Sequence, residues 1–476
     1  MTIKFGTDGW RAVISDTFTF SNLRLVAQAI ADYIRGQDGA DPSVVIGFDT
    51  RFLSDRYAAE VARVMAANRI QTWLARADTP TPAISYSVVN KNATAGVMIT
   101  ASHNPPRYNG VKLKASYGGS ASPDQNRQVE AILERNMERM AGPNLMDLDE
   151  AIRQEQVIKF DPAWAYYEHL TTLLDLDVIS SGELRVVADG MYGAGRRAIG
   201  EVLMRTRTYV HNIRDEMNPG FGGIHPEPIA RHLGLLSSTI QSGHYDVGLA
   251  TDGDADRIGA VDAHGLFVDP HRIFGLILNY LLQKRGLRGT VVRTVSTTGM
   301  IDRIAAQYGL PVVETPVGFN HIADLMLDGG VVMGGEESGG MSIQGHIPEG
   351  DGVLMGLLLL EVIAQAGKPL HEAVADLLSE FGPAQYARTD LKLNRPVSKP
   401  ALTQKLVTSA PDVIAGVAVE QVATHDGIKY YLADGSWLLI RPSGTEPVLR
   451  VYAEAPNDER VRALLGFGEA IAAGER

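Results

Sequence analysis

Hydrophobic and polar positions alternate between two periods along most of the chain. Residues 22–34 carry apolar side chains at helical spacing, and residues 43–49 then form a short apolar run that reads as a buried strand ending in a charged loop. The order recurs: residues 56–68 predict a helix, 70–74 an extended segment, and 96–100 another buried strand. Residues 127–153 are charge-rich with helical spacing and read as the way out of a first domain. A second strand set opens at 184–189 and continues at 245–250; a third opens at 290–295 and continues at 330–334. Strands alternating with helices predict α/β units with mainly parallel sheets. The last part differs, with short strands at 430–432 and 437–440 that suggest a smaller α+β unit.

Three times a buried strand of similar length runs directly into a polar loop, at Ser102, at Asp252 and at Glu336. That repetition hints at three related α/β domains, and a length of 476 residues accommodates several cores at about 150 residues each. No long linker separates them, so close packing is expected.

Composition narrows the function. Hydrophobic residues make up 45% and charged residues 21%, as in an ordinary globular protein. No run of about 18 apolar residues predicts a membrane span, and the N-terminal segment lacks a signal-peptide core. The absence of cysteine removes disulfides, thiolate zinc sites and cysteine nucleophiles, and a cytoplasmic location is expected. A formal net charge of −12 argues against general nucleic-acid binding, which relies on clustered Lys and Arg. Any small anionic substrate would need a local basic pocket.

Four loops carry candidate chemistry. Asp252-Gly253-Asp254-Ala255-Asp256 places three carboxylates at alternate positions, the hard oxygen donors that Mg²⁺ or Ca²⁺ requires. An EF-hand is excluded, because its sixth position is Arg257 rather than Gly and its twelfth is Ala263 rather than Glu. The bland alternative is a solvated acidic turn, but the adjacent Arg257 implies a second anion such as phosphate. Thr100-Ala101-Ser102-His103-Asn104-Pro105-Pro106 also follows a strand, where open α/β sheets place their sites. Its serine can serve as a covalent carrier or be only part of a turn, and it lacks the nucleophile elbow of a serine hydrolase. Gly334-Gly335-Glu336-Glu337-Ser338-Gly339-Gly340 suits sugar hydroxyls, or is a flexible turn. Arg441-Pro442-Ser443-Gly444-Thr445 combines a guanidinium, hydroxyls and backbone N–H groups, a nest for a phosphate dianion or an ordinary β-turn. A dinucleotide-like Gly193-Ala194-Gly195-Arg196-Arg197-Ala198 is a decoy, because Asp189-Gly190-Met191-Tyr192 intervene before its first glycine, where the fingerprint wants an immediate turn.

In this order the four loops resemble those of the α-D-phosphohexomutase superfamily, of the phosphoglucomutase/phosphomannomutase type, and the segment Thr7-Asp8-Gly9-Trp10-Arg11 is similar to that family's N-terminal segment. The resemblance implies a heart-shaped arrangement of three α/β domains with mixed, mainly parallel sheets and a C-terminal TATA-box-protein-like α+β domain. The expected limits are 1–150, 151–257, 258–372 and 373–476. It implies an isomerase, an intramolecular phosphotransferase, in which Ser102 carries the phosphoryl group and completes a Mg²⁺ shell with Asp252, Asp254 and Asp256. Arg11, Lys112 and Arg257 would surround the transferring group, with His103 beside it. Glu336 and Ser338 would hold sugar hydroxyls, while Arg441, Ser443, Gly444 and Thr445 would bind the phosphate that is not reacting; Thr7 would also contact substrate.

The implied reaction interconverts hexose 1- and 6-phosphates, glucose first and mannose second, with glucose 1,6-bisphosphate as intermediate and activator. The expected partners are small hexose phosphates, without nucleic acid or membrane, and the expected assembly is a monomer or homodimer. Alternatives are a phosphoglucosamine mutase, a sugar-bisphosphate synthase variant, and a catalytically reduced sugar-phosphate-binding homologue. Three positions depart from the family pattern: Asn320 and Gly350 stand where lysines are common, and Gly340 where a histidine is. His103, His346 and Lys112 therefore remain as proton-transfer candidates, and Arg293 is a candidate source of the missing charge.

Overall fold

The computed structural model describes residues 3–6, 8–37, 41–393, 398–442 and 448–473. Four sheets follow one another along the chain. In the first, the strands run in the order Trp10–Val13, Tyr108–Ala115, Ala95–Ile99, Ser43–Phe48, Gln71–Ala75 and Val157–Phe160. The last four pair in parallel and the first two add antiparallel at one edge. The second sheet, Phe267–Val268, Ile258–Asp262, Val247–Thr251, Arg185–Asp189 and Tyr209–Ile213, and the third, Val312–Thr315, Thr290–Thr294, Val331–Gly335 and Met341–Ile343, are mixed in the same manner. The fourth has six strands, antiparallel throughout. The chain therefore has three α/β units with mixed sheets and a C-terminal α+β unit. Strand pairing carries the first sheet to Phe160 and the second to Val268, past the breaks at 150 and 257 expected from the sequence. The charge-rich stretch after residue 127 is two helices, Pro123–Glu138 and Leu148–Arg153, because the residues between them leave the helical path before the chain re-enters the first sheet.

The central strands Ala95–Ile99, Val247–Thr251 and Val331–Gly335 are buried at every position, as expected for strands covered on both faces. The second and third units share one apolar core around the helix Gly352–Ala366, which is buried from Gly352 to Ile363. Its one buried charge, Glu361, accepts from Tyr280 at 2.5 Å, from Arg285 Nη2 at 2.6 Å and from the Asp175 N–H at 2.9 Å, so burial leaves no charge unpaired. Asp351 caps the helix by accepting from the Leu354 N–H at 2.8 Å. Among the described residues no single helix is long and apolar enough to cross a membrane.

This shared core makes the second and third units one mechanical body. Leu358→Ala, at a position with no exposed surface, is expected to cost about 2–5 kcal/mol in a denaturant titration, whereas Met140→Ala, at 91% exposure, stays within about 0.5 kcal/mol.

Candidate active site

The ends of three central strands meet at one place. The strand Ala95–Ile99 delivers Ser102, which is fully buried and has a left-handed backbone (φ 48°). The strand Val247–Thr251 turns directly into Ile258–Asp262, and the tight connection between them exposes its carboxylates towards that serine. Ser102 Oγ donates to Asp252 Oδ2 at 2.8 Å. The approach is so close that a Cβ added at Gly253 would lie 2.4 Å from the Ser102 carbonyl oxygen, so only glycine fits there.

The serine loop is held by a residue far away in sequence. Arg51 is buried and donates from Nη2 to the carbonyls of Ser102 (2.5 Å) and Asn104 (2.7 Å), and from Nη1 to those of Pro105 (2.9 Å) and Tyr108 (3.0 Å). Asp49 lies 3.1 Å from Arg51 Nε and also accepts from Thr100 Oγ1 at 2.7 Å. Thr100 Oγ1 in turn accepts from the Ser102 N–H at 2.9 Å. A planar guanidinium spanning four carbonyls fixes a loop in a way that a lysine cannot.

Asp252, Asp254 and Asp256 offer ligand atoms that all lie within 4.8 Å of one another. Lys112, buried and cationic, lies 2.9 Å from Asp254, 2.8 Å from Asp256 and 2.7 Å from Asp8. Burial alone would depress the Lys112 ammonium, but these three carboxylates push its pKa above the ordinary value. Thr81 Oγ1 donates to Asp254 Oδ2 at 2.6 Å. Two buried oxygens, Asp254 Oδ1 and Asp256 Oδ1, have no hydrogen-bond partner among the described residues. Burial, together with repulsion from Asp256 and Asp254, raises the Asp252 carboxyl well above the carboxylate range. Orphaned oxygens and an anion destabilised by its neighbours are what a hard dication relieves, so the three aspartates could hold one.

Around this cluster stand the other predicted cations. Arg11 donates from Nη1 to Asn104 at 2.9 Å, and Arg257 lies 3.8 Å from Asp256. His103 is half-buried, and burial of its ring together with the surrounding Arg257, Arg11, Lys112 and Arg51 lowers its pKa, so it is neutral; its Nδ1 has no partner among the described residues.

The third strand end brings the Glu336 loop onto the same backbone. The Ile258 N–H donates to the Gly339 carbonyl at 3.3 Å. Glu336 accepts from the Gly318 N–H at 2.9 Å, and burial raises its pKa to about 7. Ser338 Oγ is buried without a partner among the described residues. A Cβ at Gly350 would lie 2.9 Å from the Asp256 carbonyl and 3.2 Å from Gly340 Cα, so backbone contact leaves a side chain at position 350 little room. At Gly340 the nearest atoms to an added Cβ, Glu336 Oε2, Asp256 O and Phe319 Cδ2, are 3.7–3.8 Å away, ordinary van der Waals contact, so a Cβ would fit there.

Models of four domains match the chain in order. Phosphoglucomutase/phosphomannomutase alpha/beta/alpha domains I, II and III match residues 2–140, 164–265 and 269–381, and the C-terminal domain of the same family matches 393–466. The chain belongs to the phosphoglucomutase/phosphomannomutase family. That family is part of the α-D-phosphohexomutase superfamily of isomerases. A probable phosphoglucosamine mutase of Methanosphaera stadtmanae is 32% identical over 97% of this chain and 96% of its own length. A phosphoglucomutase/phosphomannomutase of Thermococcus kodakarensis is 29% identical over 98% of this chain and 97% of its own. The crystal structure of a putative phosphomannomutase from Thermus thermophilus superimposes with a TM-score of 0.85 at 33% identity, covering 99% of both chains.

Two expectations for this phosphohexomutase do not fit the geometry. His346 is fully buried between His169 (2.9 Å) and Asp351 (3.0 Å), bonded through both ring nitrogens and so engaged in packing rather than facing the serine. Arg293 lies between Asp302 (2.7 Å) and Glu314 (2.5 Å), with its charge already paired. Arg441 donates from Nε to Asp426 at 2.7 Å. Thr7, Ser443, Gly444 and Thr445 lie outside the described residues.

Sequence reasoning missed Asp49 and Arg51, Thr81, Asp8 and Asp426. The signal for the first pair was present, since 43–49 is another buried strand that runs into charge. The others are single polar residues whose partners are distant in sequence. Arg51→Ala is expected to cost about 3–5 kcal/mol in thermal or denaturant unfolding, because it frees four carbonyls and leaves Asp49 buried beside no cation. Arg51→Lys should recover little of that loss.

Proposed function

We propose that the chain interconverts hexose 1-phosphate and hexose 6-phosphate by way of a phosphoryl group carried on Ser102. The observation that supports this best is the buried Ser102 hydroxyl bonded to Asp252 inside a ring of Lys112, Arg11 and Arg257. A bare serine needs no such concentration of cations, whereas a phosphoserine dianion does.

In the forward half-reaction a sugar hydroxyl oxygen bonds to the phosphorus of phospho-Ser102 as the bond to Oγ breaks, which yields a hexose 1,6-bisphosphate and a free serine. The sugar hydroxyl gives up a proton and Ser102 Oγ regains one. Of the proton-transfer candidates, Lys112 is held as a cation by three carboxylates, and His103 is neutral with an unpartnered Nδ1, although the surrounding cations make it a weak base. Lys112, Arg11 and Arg257 neutralise charge on the equatorial oxygens during transfer. Asp252, Asp254 and Asp256 would hold Mg²⁺, which when bound supplies Lewis-acid neutralisation of the phosphoryl oxygens. The bisphosphate then turns around, and its other phosphate is returned to Ser102. Glu336 and Ser338 would grip the sugar in both orientations, and Arg441 with Ser443, Gly444 and Thr445 the distal phosphate. Contacts between the loops of all four units would keep out water, which competes for the phosphoryl group.

Glucose is the sugar we favour, with mannose second. Phosphoglucosamine is a second reading of comparable weight, because relatives are named for that activity. A cytoplasmic enzyme acting as a monomer or homodimer fits an acidic chain without cysteine.

A coupled assay with the 1-phosphates of glucose, mannose and glucosamine, Mg²⁺ and a trace of the matching bisphosphate is expected to show turnover of at least one. EDTA should abolish it and Mg²⁺ restore it. Ser102→Ala and Asp254→Ala should each lose at least about 10³-fold in kcat. Turnover that persists in both variants sinks the mechanism.

A further inference from the structure

Asp426 precedes the strand Ile428–Leu432 of the C-terminal unit, is 2% exposed, and draws donors from three separate segments. Arg441 Nε donates to its Oδ2 at 2.7 Å, the Val317 N–H donates to the same oxygen at 3.0 Å, and Lys399 Nζ donates to Oδ1. Burial alone would favour a neutral carboxyl, but Arg441, Lys399 and Val317 outweigh it and hold Asp426 ionised below the usual range. Two cations on one carboxylate leave a net positive charge at the root of the loop that begins at Arg441.

The neighbouring backbone links this charge to the sugar end. Val317 bonds to Asp426, and the next residue, Gly318, bonds to Glu336. Two consecutive N–H groups therefore fix the distance between the distal-phosphate arginine and the sugar carboxylate. The same connection carries Asn320, 4% exposed, whose amide nitrogen and oxygen have no partner among the described residues and which contributes no charge. Asn320 thus adds no cation beside this connection, whereas Asp426 holds two. Lys399 opens the helix Lys399–Thr408, and its side chain is 42% exposed, so it reaches Asp426 from solvent and has room to move.

We propose that Lys399 is a second cation of the distal-phosphate subsite, held on Asp426 beside Arg441 until a sugar phosphate dianion draws it onto its own oxygens. The proposal rests on the hexose-phosphate reading above. Arg441 presents a planar fork to two oxygens, and a lysine acts as a mobile point charge on a third. Asp426 is a positioning residue, keeping Arg441 turned and anchored to Val317 when Lys399 leaves.

The test is steady-state kinetics with the hexose 1-phosphate that the wild type turns over fastest, alongside thermal stabilisation by glucose 1,6-bisphosphate. Lys399→Gln is expected to raise KM about tenfold while changing kcat less, and to reduce the stabilisation by bisphosphate. Lys399→Arg should recover most of both. In an Asp426→Asn background Lys399→Gln should still raise KM, because the lysine acts on the substrate and not through the aspartate. An unchanged KM in Lys399→Gln overturns the proposal, as does a Lys399→Arg variant as weak as Lys399→Gln, or an effect that vanishes in the Asp426→Asn background. Wild-type protein with no mutase turnover would instead overturn the underlying reading.

Discussion

Everything in this fold is arranged around an excess of buried carboxylate. Asp8, Asp252, Asp254 and Asp256 gather within reach of one ammonium, Lys112, which bonds to three of them and leaves Asp252 to the Ser102 hydroxyl. Like charges this close cannot all stay ionised in a buried space without additional cations. A dication would relieve that repulsion, and one held beside Arg11 and Arg257 would in turn attract a phosphate. The acidic loop and the basic ring are thus two halves of one charge balance.

Geometry serves that balance. Three sheets end their central strands at the same point, so the groups come from rigid elements rather than from mobile tails. Contacts between loops then set the spacing: the Ser102 carbonyl against Gly253, Gly339 against Ile258, and Gly352, whose N–H donates to Ala255. Each is a backbone approach that a larger side chain would push apart. The pairs Arg196–Asp78 and Lys114–Glu349, at 2.6 Å each, join the first unit to the second and third close to the site. The C-terminal unit packs on the third through an apolar cluster of Val295, Trp437, Leu439 and Tyr452, flanked by polar contacts of Arg388 with Glu337 (3.1 Å), Lys429 with Glu314 (2.9 Å) and Asp426 with Val317 (3.0 Å).

Much of this was legible in the sequence. Buried strands running into Ser102, Asp252 and Glu336 announced the α/β units and the three loops at once, because strand burial and loop polarity are local properties. The helix breaks after residue 138 and the return of Val157–Phe160 to the first sheet were not legible, since pairing with Gln71–Ala75 is a long-range choice. Arg51, Thr81 and Asp426 escaped for the same reason: each acts through partners far away in sequence. His346 misled because a histidine near a glycine-rich loop looks available, and only the fold shows both its nitrogens bonded to His169 and Asp351. Arg293 misled similarly, with Asp302 and Glu314 already using its charge.

The claim on which the account turns is that Ser102, and no other residue, carries the phosphoryl group. Intact-mass measurement and fragment mapping after incubation with glucose 1,6-bisphosphate and Mg²⁺ test it directly. One phosphate located on Ser102, and none gained by the Ser102→Ala protein, is the predicted result. An active enzyme whose Ser102 stays unmodified, or whose phosphate maps to another side chain, would contradict it.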